Sequence, residues 1–130
     1  METATVMQLA AALLIYAGLA GAAGVALAAA GAHGNDLASL TPPAYFLIMH
    51  AAGAVAVIAV ATRADHPSLF LLAVLVLLVG VTLFSGNIAA RTLWGVRLFP
   101  MAAPIGGTTM IIGWLLLSAA GIWELFAPRG

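Results

Sequence analysis

With 65% of its 130 residues hydrophobic, 6% charged and a mean hydropathy of +1.18, the chain has too few charged residues for a water-soluble globular domain. Its formal net charge is zero and it contains neither lysine nor cysteine, which excludes a polybasic stretch that could hold nucleic acid or an anionic membrane surface, disulfides, thiolate metal sites and cysteine nucleophiles. The length fits a single domain, so any chemistry belongs to the membrane part itself.

The pattern predicts an all-α integral membrane bundle of four transmembrane helices over residues 6–30, 44–61, 68–90 and 102–126. Each span holds roughly the 17–25 residues needed to cross the hydrocarbon core, where a helix satisfies its own backbone. Before the first span, Met1-Glu2-Thr3-Ala4-Thr5 lacks the positive start of a signal peptide, and the apolar run is too long for one; the expectation is a retained helix. The span itself is rich in small residues: Gly18, Gly21 and Gly24, with Ala17/Gly21 and Ala20/Gly24 as pairs four apart. Such pairs let helices approach closely, and packing within the chain is the expectation ahead of a dimer face.

The break over 31–43 carries glycines, Asn35, Asp36 and Pro42-Pro43, after which His50 falls about six residues, or roughly 9 Å, into the second span. A polar turn over 63–67 follows, with His66 expected in solvent beside Pro67. The third span brings Ser85 to a depth similar to that of His50, with Asn87 nearby, and the break over 91–100 holds Arg91, Trp94 and Arg97, residues suited to headgroup level. The fourth span opens with Pro104, Gly106 and Gly107, then Thr108 and Thr109. Orientation is open, because Arg63 and Arg129 on one side balance Arg91 and Arg97 on the other.

On this topology the polar residues gather under the first and third breaks, leaving the other half of the bundle nearly bare. A histidine at that depth needs a partner or a wet cavity. His33, His50, Ser85, Asn87 and Thr108 therefore form either an interhelical hydrogen-bond network, each bond contributing about 0.6–2 kcal/mol, or the floor of a polar cavity for a proton, ion or small solute. The network is the working expectation. Pro104, Gly106 and Gly107 allow a tight helix start; alternatively, the first-turn amides and the positive end of the helix dipole face the cavity as a ligand site.

Metal and catalytic chemistry have little to build on. His33 with Asp36 offers two ligands and no His-x-x-His spacing, so no metal or cofactor is expected. Ser85 lacks the Gly-x-Ser-x-Gly context of an activated nucleophile, and the chain is not expected to be an enzyme. Small multidrug transporters have a similar size and helix number but depend on a glutamate in the first helix, which this span lacks.

Gly31-Ala32-His33, Phe46-Leu47-Ile48-Met49-His50, Leu83-Phe84-Ser85-Gly86, Pro104-Ile105-Gly106-Gly107 and Gly113-Trp114 together resemble the YgdD family of small four-helix membrane proteins, over nearly the whole chain. The chain departs from that family's tendencies at Phe46 and Leu47, where tyrosine and glutamine would add hydrogen-bonding groups, at Asn87, where serine is usual, and at Ala103, where threonine is frequent. The resemblance implies the same topology and supplies no activity. The expected role is a non-enzymatic structural or accessory protein of the bacterial inner (cytoplasmic) membrane, partnered by the lipid bilayer and self-associating or joining a larger membrane complex, with no nucleic acid. The alternative is an oligomeric small-solute or ion channel or transporter whose polar cavity lies near His50 and Asn87.

Overall fold

The computed structural model describes residues 2–129. Four α-helices follow one another: α1 (Thr3–His33), α2 (Thr41–Ala61), α3 (Pro67–Trp94) and α4 (Ala102–Phe126), with a single 3-10 turn at Ala38–Leu40 leading into α2. All four are long and apolar enough to span a bilayer, so the chain is a multi-pass integral membrane protein.

α4 matches its predicted span at both ends, whereas α1 and α3 run beyond theirs at both ends and α2 begins three residues earlier than predicted. Pro42 and Pro43, assigned to the first break from sequence, instead occupy the first turn of α2. Proline is at home there because its missing N–H would have had no partner inside the helix. Arg91 and Trp94, assigned to the third break, complete the last turns of α3, which stops at Gly95 in the left-handed region (φ 68°).

α2 and α3 form the central pair, with α1 lying against both on one side and α4 against α3 on the other. α1 buries Val6, Ala10, Leu13, Ala17, Ala20 and Gly24, a strict 4-3-4-3-4 spacing. α2 answers with Ala44, Leu47, Ala51, Ala54, Ile58 and Ala61, spaced 3-4-3-4-3. Spacing that averages 3.5 residues keeps two helices in register as they cross at a shallow angle. Lipid tails are as apolar as the side chains, so close packing rather than escape from water holds this seam, and small residues provide it. A Cβ at Gly24 would lie 3.1 Å from the Ala44 carbonyl oxygen, and one at Gly21 would lie 3.6 Å from the Ala51 Cβ. The small residues of α1 that meet α2 thus serve packing within the chain, while Gly18 faces outward with nothing within 4 Å of its would-be Cβ.

The α3–α4 seam is closer still. A Cβ on Gly106 would come within 2.5 Å of the Phe84 amide nitrogen, one on Gly80 within 2.7 Å of the Met110 nitrogen, and one on Gly113 within 2.7 Å of Leu77 side-chain atoms. At the end bearing the termini, Glu124 near the end of α4 accepts the Asp65 amide at 2.7 Å and the His66 amide at 3.0 Å. That carboxylate ties the α2–α3 turn to α4 and corrects two expectations. This end is not bare, and His66 is not simply solvated, since its Nδ1 is buried 3.5 Å from Glu124 Oε2 and its ring meets Trp123 edge-on.

Two tests follow from this packing. Gly106→Ala should lower unfolding stability in detergent by about 1–3 kcal/mol, as overpacking does, whereas Gly18→Ala on the open face should leave it unchanged or slightly raised; denaturant titration followed by circular dichroism measures both. Glu124→Ala should speed hydrogen exchange at the Asp65 and His66 amides while leaving amides in the middle of α3 protected.

Candidate functional site

Among the described residues the buried polar side chains are His50, Ser85 and Asn87, at 5%, 0% and 4% exposure. Because α2 begins at Thr41, His50 lies nine residues in, about 13 Å from the helix start and close to the middle of the spanning length. Its ring is held from two sides. Nδ1 donates to the Phe46 carbonyl at 2.8 Å, one turn back on the same helix, and Nε2 accepts the indole N–H of Trp114 on α4 at 3.2 Å. A carbonyl can only accept and an indole N–H can only donate, so the two bonds together fix the tautomer with its proton on Nδ1. Gly53 makes room for the indole, whose Cη2 would lie 3.4 Å from a Cβ there. Phe46 stacks against the imidazole with centroids 5.9 Å apart and tilts on Phe84 at 4.9 Å, closing the remaining side with apolar carbon. Both ring nitrogens of His50 are thus hydrogen-bonded within the protein.

The sequence placed Ser85 in the same layer as His50; the structure separates them. Ser85 Oγ donates to the Pro43 carbonyl at 2.8 Å, level with the first turn of α2 and seven residues, about 10 Å, above His50. The reason is that α3 runs on past the start of α2, so depth counted from each helix end does not give a common level. Asn87 lies further out, where its Oδ1 accepts the Leu98 amide at 3.0 Å and pins the α3–α4 loop. His50, Ser85 and Asn87 thus each bridge two segments, at three successive levels, and do not bond one another.

His33 and Thr108 join none of these contacts. His33 is exposed at the end of α1, and Thr108, also exposed, turns its hydroxyl back to the Pro104 carbonyl at 2.9 Å, as Thr109 does to Ile105 at 2.7 Å. Of the helix-start trio, Gly106 is buried against α3 backbone, while Pro104 is exposed and Gly107 has nothing within 4 Å of its would-be Cβ. The first turn of α4 therefore does not open onto a chamber shared with His50. Pro104 and Thr108 line a shallow surface hollow of about 260 Å³ instead. No group of three or more metal-ligating side chains occurs among the described residues.

Three contacts were missed from sequence. Trp114 carried a signal: an indole N–H inside hydrocarbon needs an acceptor, and the chain offers few. The Tyr16–Thr82 pair, 2.5 Å apart between α1 and α3, had a weaker one. Thr82 already donates its single proton to the Leu78 carbonyl at 2.6 Å, so Tyr16 is the donor across the helices. Apolar grooves of about 320 and 280 Å³ lie to either side of that bridge, between α1 and α3. The pairing of Glu124 with two turn amides has no marker in the sequence spacing.

Trp114→Phe keeps the ring and deletes the donor to His50. It should lower stability by about 1–2 kcal/mol, and the double variant with His50→Ala should lose less than the two single losses combined, because both act on one bond. Unfolding titrations of the four-member cycle give the coupling directly.

Searches of curated proteins and of solved structures return no match. A family model, described as a protein of unknown function (DUF423), matches residues 27–107, from the last turns of α1 through α2 and α3 into the first turns of α4. That stretch holds His50, Ser85, Asn87 and the loop Asn87 pins, and it covers well over half of the chain; the protein is a member of the DUF423 family.

Proposed function

We propose that this protein is a non-enzymatic structural or accessory component of the bacterial inner (cytoplasmic) membrane, akin to the YgdD proteins its motifs resemble, that self-associates or joins a larger membrane complex. The observation that carries the proposal is the commitment of His50: both ring nitrogens are bonded inside the protein, one to the backbone of α2 and the other to α4. A conduit needs polar groups that face water and exchange partners. Here His50, Ser85 and Asn87 each join segments that would otherwise rely on dispersion alone, which is how polar residues act as glue between membrane helices.

The outer surface supports association. Large apolar side chains such as Ile111, Leu115 and Ile122 on α4, and Ile15 and Leu19 on α1, stand exposed on the two flanking helices. In a membrane such a surface packs against the apolar face of a neighbouring helix as readily as against lipid.

In proteoliposomes carrying a pH-sensitive dye, wild-type protein and His50→Ala should both pass protons no faster than protein-free vesicles, while His50→Ala unfolds at lower denaturant. Flux through the wild type that disappears in His50→Ala would overturn the proposal in favour of a conduit. Native mass spectrometry of gently extracted protein should find it in a homo-oligomer or with a stoichiometric foreign subunit.

A further inference from the structure

The two ends of the bundle differ in charge and in how that charge is used. The end bearing the termini carries Arg63 and Arg129 with Glu2, Asp65 and Glu124, so acids outnumber arginines. There Arg63 donates to the Ala59 carbonyl at 3.1 Å and Glu124 is taken up by the α2–α3 turn. The opposite end carries Arg91 and Arg97 with Asp36, so cations are in excess. Arg91 and Arg97 are exposed, and among the described residues neither makes an ion pair or a side-chain hydrogen bond.

Arg91 precedes, and Arg97 lies within, a loop, 95–101, that presents apolar side chains outward. Trp94 is 73% exposed, Val96, Leu98 and Met101 are more than half exposed, and Phe99 is exposed as well. Several contacts fix the loop. Gly95 donates to the Arg91 carbonyl, Leu98 to Asn87 Oδ1, and Ala102 to the Phe99 carbonyl, while Gly95 and Met101 sit in the left-handed region at φ 68° and 70°. A buried asparagine thus holds a surface loop with its leucine and phenylalanine outward beside Trp94 at the end of α3, at the cost of a non-glycine residue in a strained conformation.

Depth completes the case. Ser85 is level with Pro43, so the nine residues of α3 beyond it, about 13 Å of helix, rise about 10 Å past the start of α2 at Thr41, with Thr92 meeting Ser39 of the 3-10 turn on the way. In a bilayer spanned by these helices this position corresponds to the headgroup level, where tryptophan prefers to sit and where arginine meets phosphate. We propose that Arg91, Trp94 and the loop 95–101 form a docking surface for acidic phospholipid. Arg91 and Arg97 take phosphate oxygens through their forked donors, and Trp94, Leu98 and Phe99 seat among the first acyl carbons. The excess of unpaired positive charge at this end selects an anionic lipid over a zwitterionic one.

Native mass spectrometry of the full-length protein in detergent, titrated with phosphatidylglycerol or with phosphatidylcholine of the same chains, tests this. Wild type should bind phosphatidylglycerol more tightly. Arg91→Gln with Arg97→Gln should weaken that binding by about fivefold for each arginine removed and leave phosphatidylcholine unaffected. Arg91→Lys with Arg97→Lys should retain most of the preference, Arg63→Gln at the other end should retain all of it, and circular dichroism should show every variant folded. Equal affinity for the two lipids in wild type, an undiminished preference in the double glutamine variant, or an equal loss in Arg63→Gln would overturn the proposal. So would an acidic protein segment copurifying on the loop and blocking phosphatidylglycerol.

Discussion

Inside hydrocarbon a polar atom without a partner is expensive, and no solvent is at hand to supply one. That constraint organises this bundle more than hydrophobicity does. It places proline where a missing N–H is harmless, returns the hydroxyls of Thr108, Thr109 and Ser118 to carbonyls one turn back on their own helix, and fastens His50 at both nitrogens. Once the backbone and side chains are satisfied in this way, what remains between helices is shape. The glycines of the α3–α4 seam and the alanines of the α1–α2 seam supply it.

Most of the fold was legible from composition alone, because four apolar runs of spanning length separated by polar breaks admit few other readings. Which face of each helix turns inward was not. In a soluble helix the buried side is the apolar side, but here both sides are apolar, so the seam on α1 is marked by smallness and by its 3.5-residue spacing. The helix ends were harder still. Pro42-Pro43 reads equally as a break or as a first turn, and the presence of the 3-10 turn before it decides the matter.

The candidate site divides in a similar way. That His50, Ser85 and Asn87 are buried and bonded follows from the cost of leaving them otherwise, and sequence reasoning reaches that far. Their separation into three levels depends on α3 overrunning α2, which no residue pattern announces. Trp114 was within reach of a donor-and-acceptor inventory, whereas the pairing of Glu124 with two amides of a distant turn depends on helix lengths matching to within a turn. His33 shows the converse: a histidine beside a glycine at a helix end gives no local sign of whether it faces in or out.

The hydrogen bond between α2 and α4 has a consequence for how the protein is made. Helices adjacent in sequence pack together in this bundle, so α1 and α2 can close against each other as soon as both have left the ribosome, and α3 and α4 later do the same. His50 Nε2, by contrast, receives its donor only when the final helix is in place. Until then the imidazole is an unmet acceptor within the bilayer, and the arrival of Trp114 relieves it. Tyr16 and Ser85 already tie the first hairpin to α3, and Trp114 adds the bond from α2 to α4, so a bundle lacking α4 leaves His50 Nε2 without its donor.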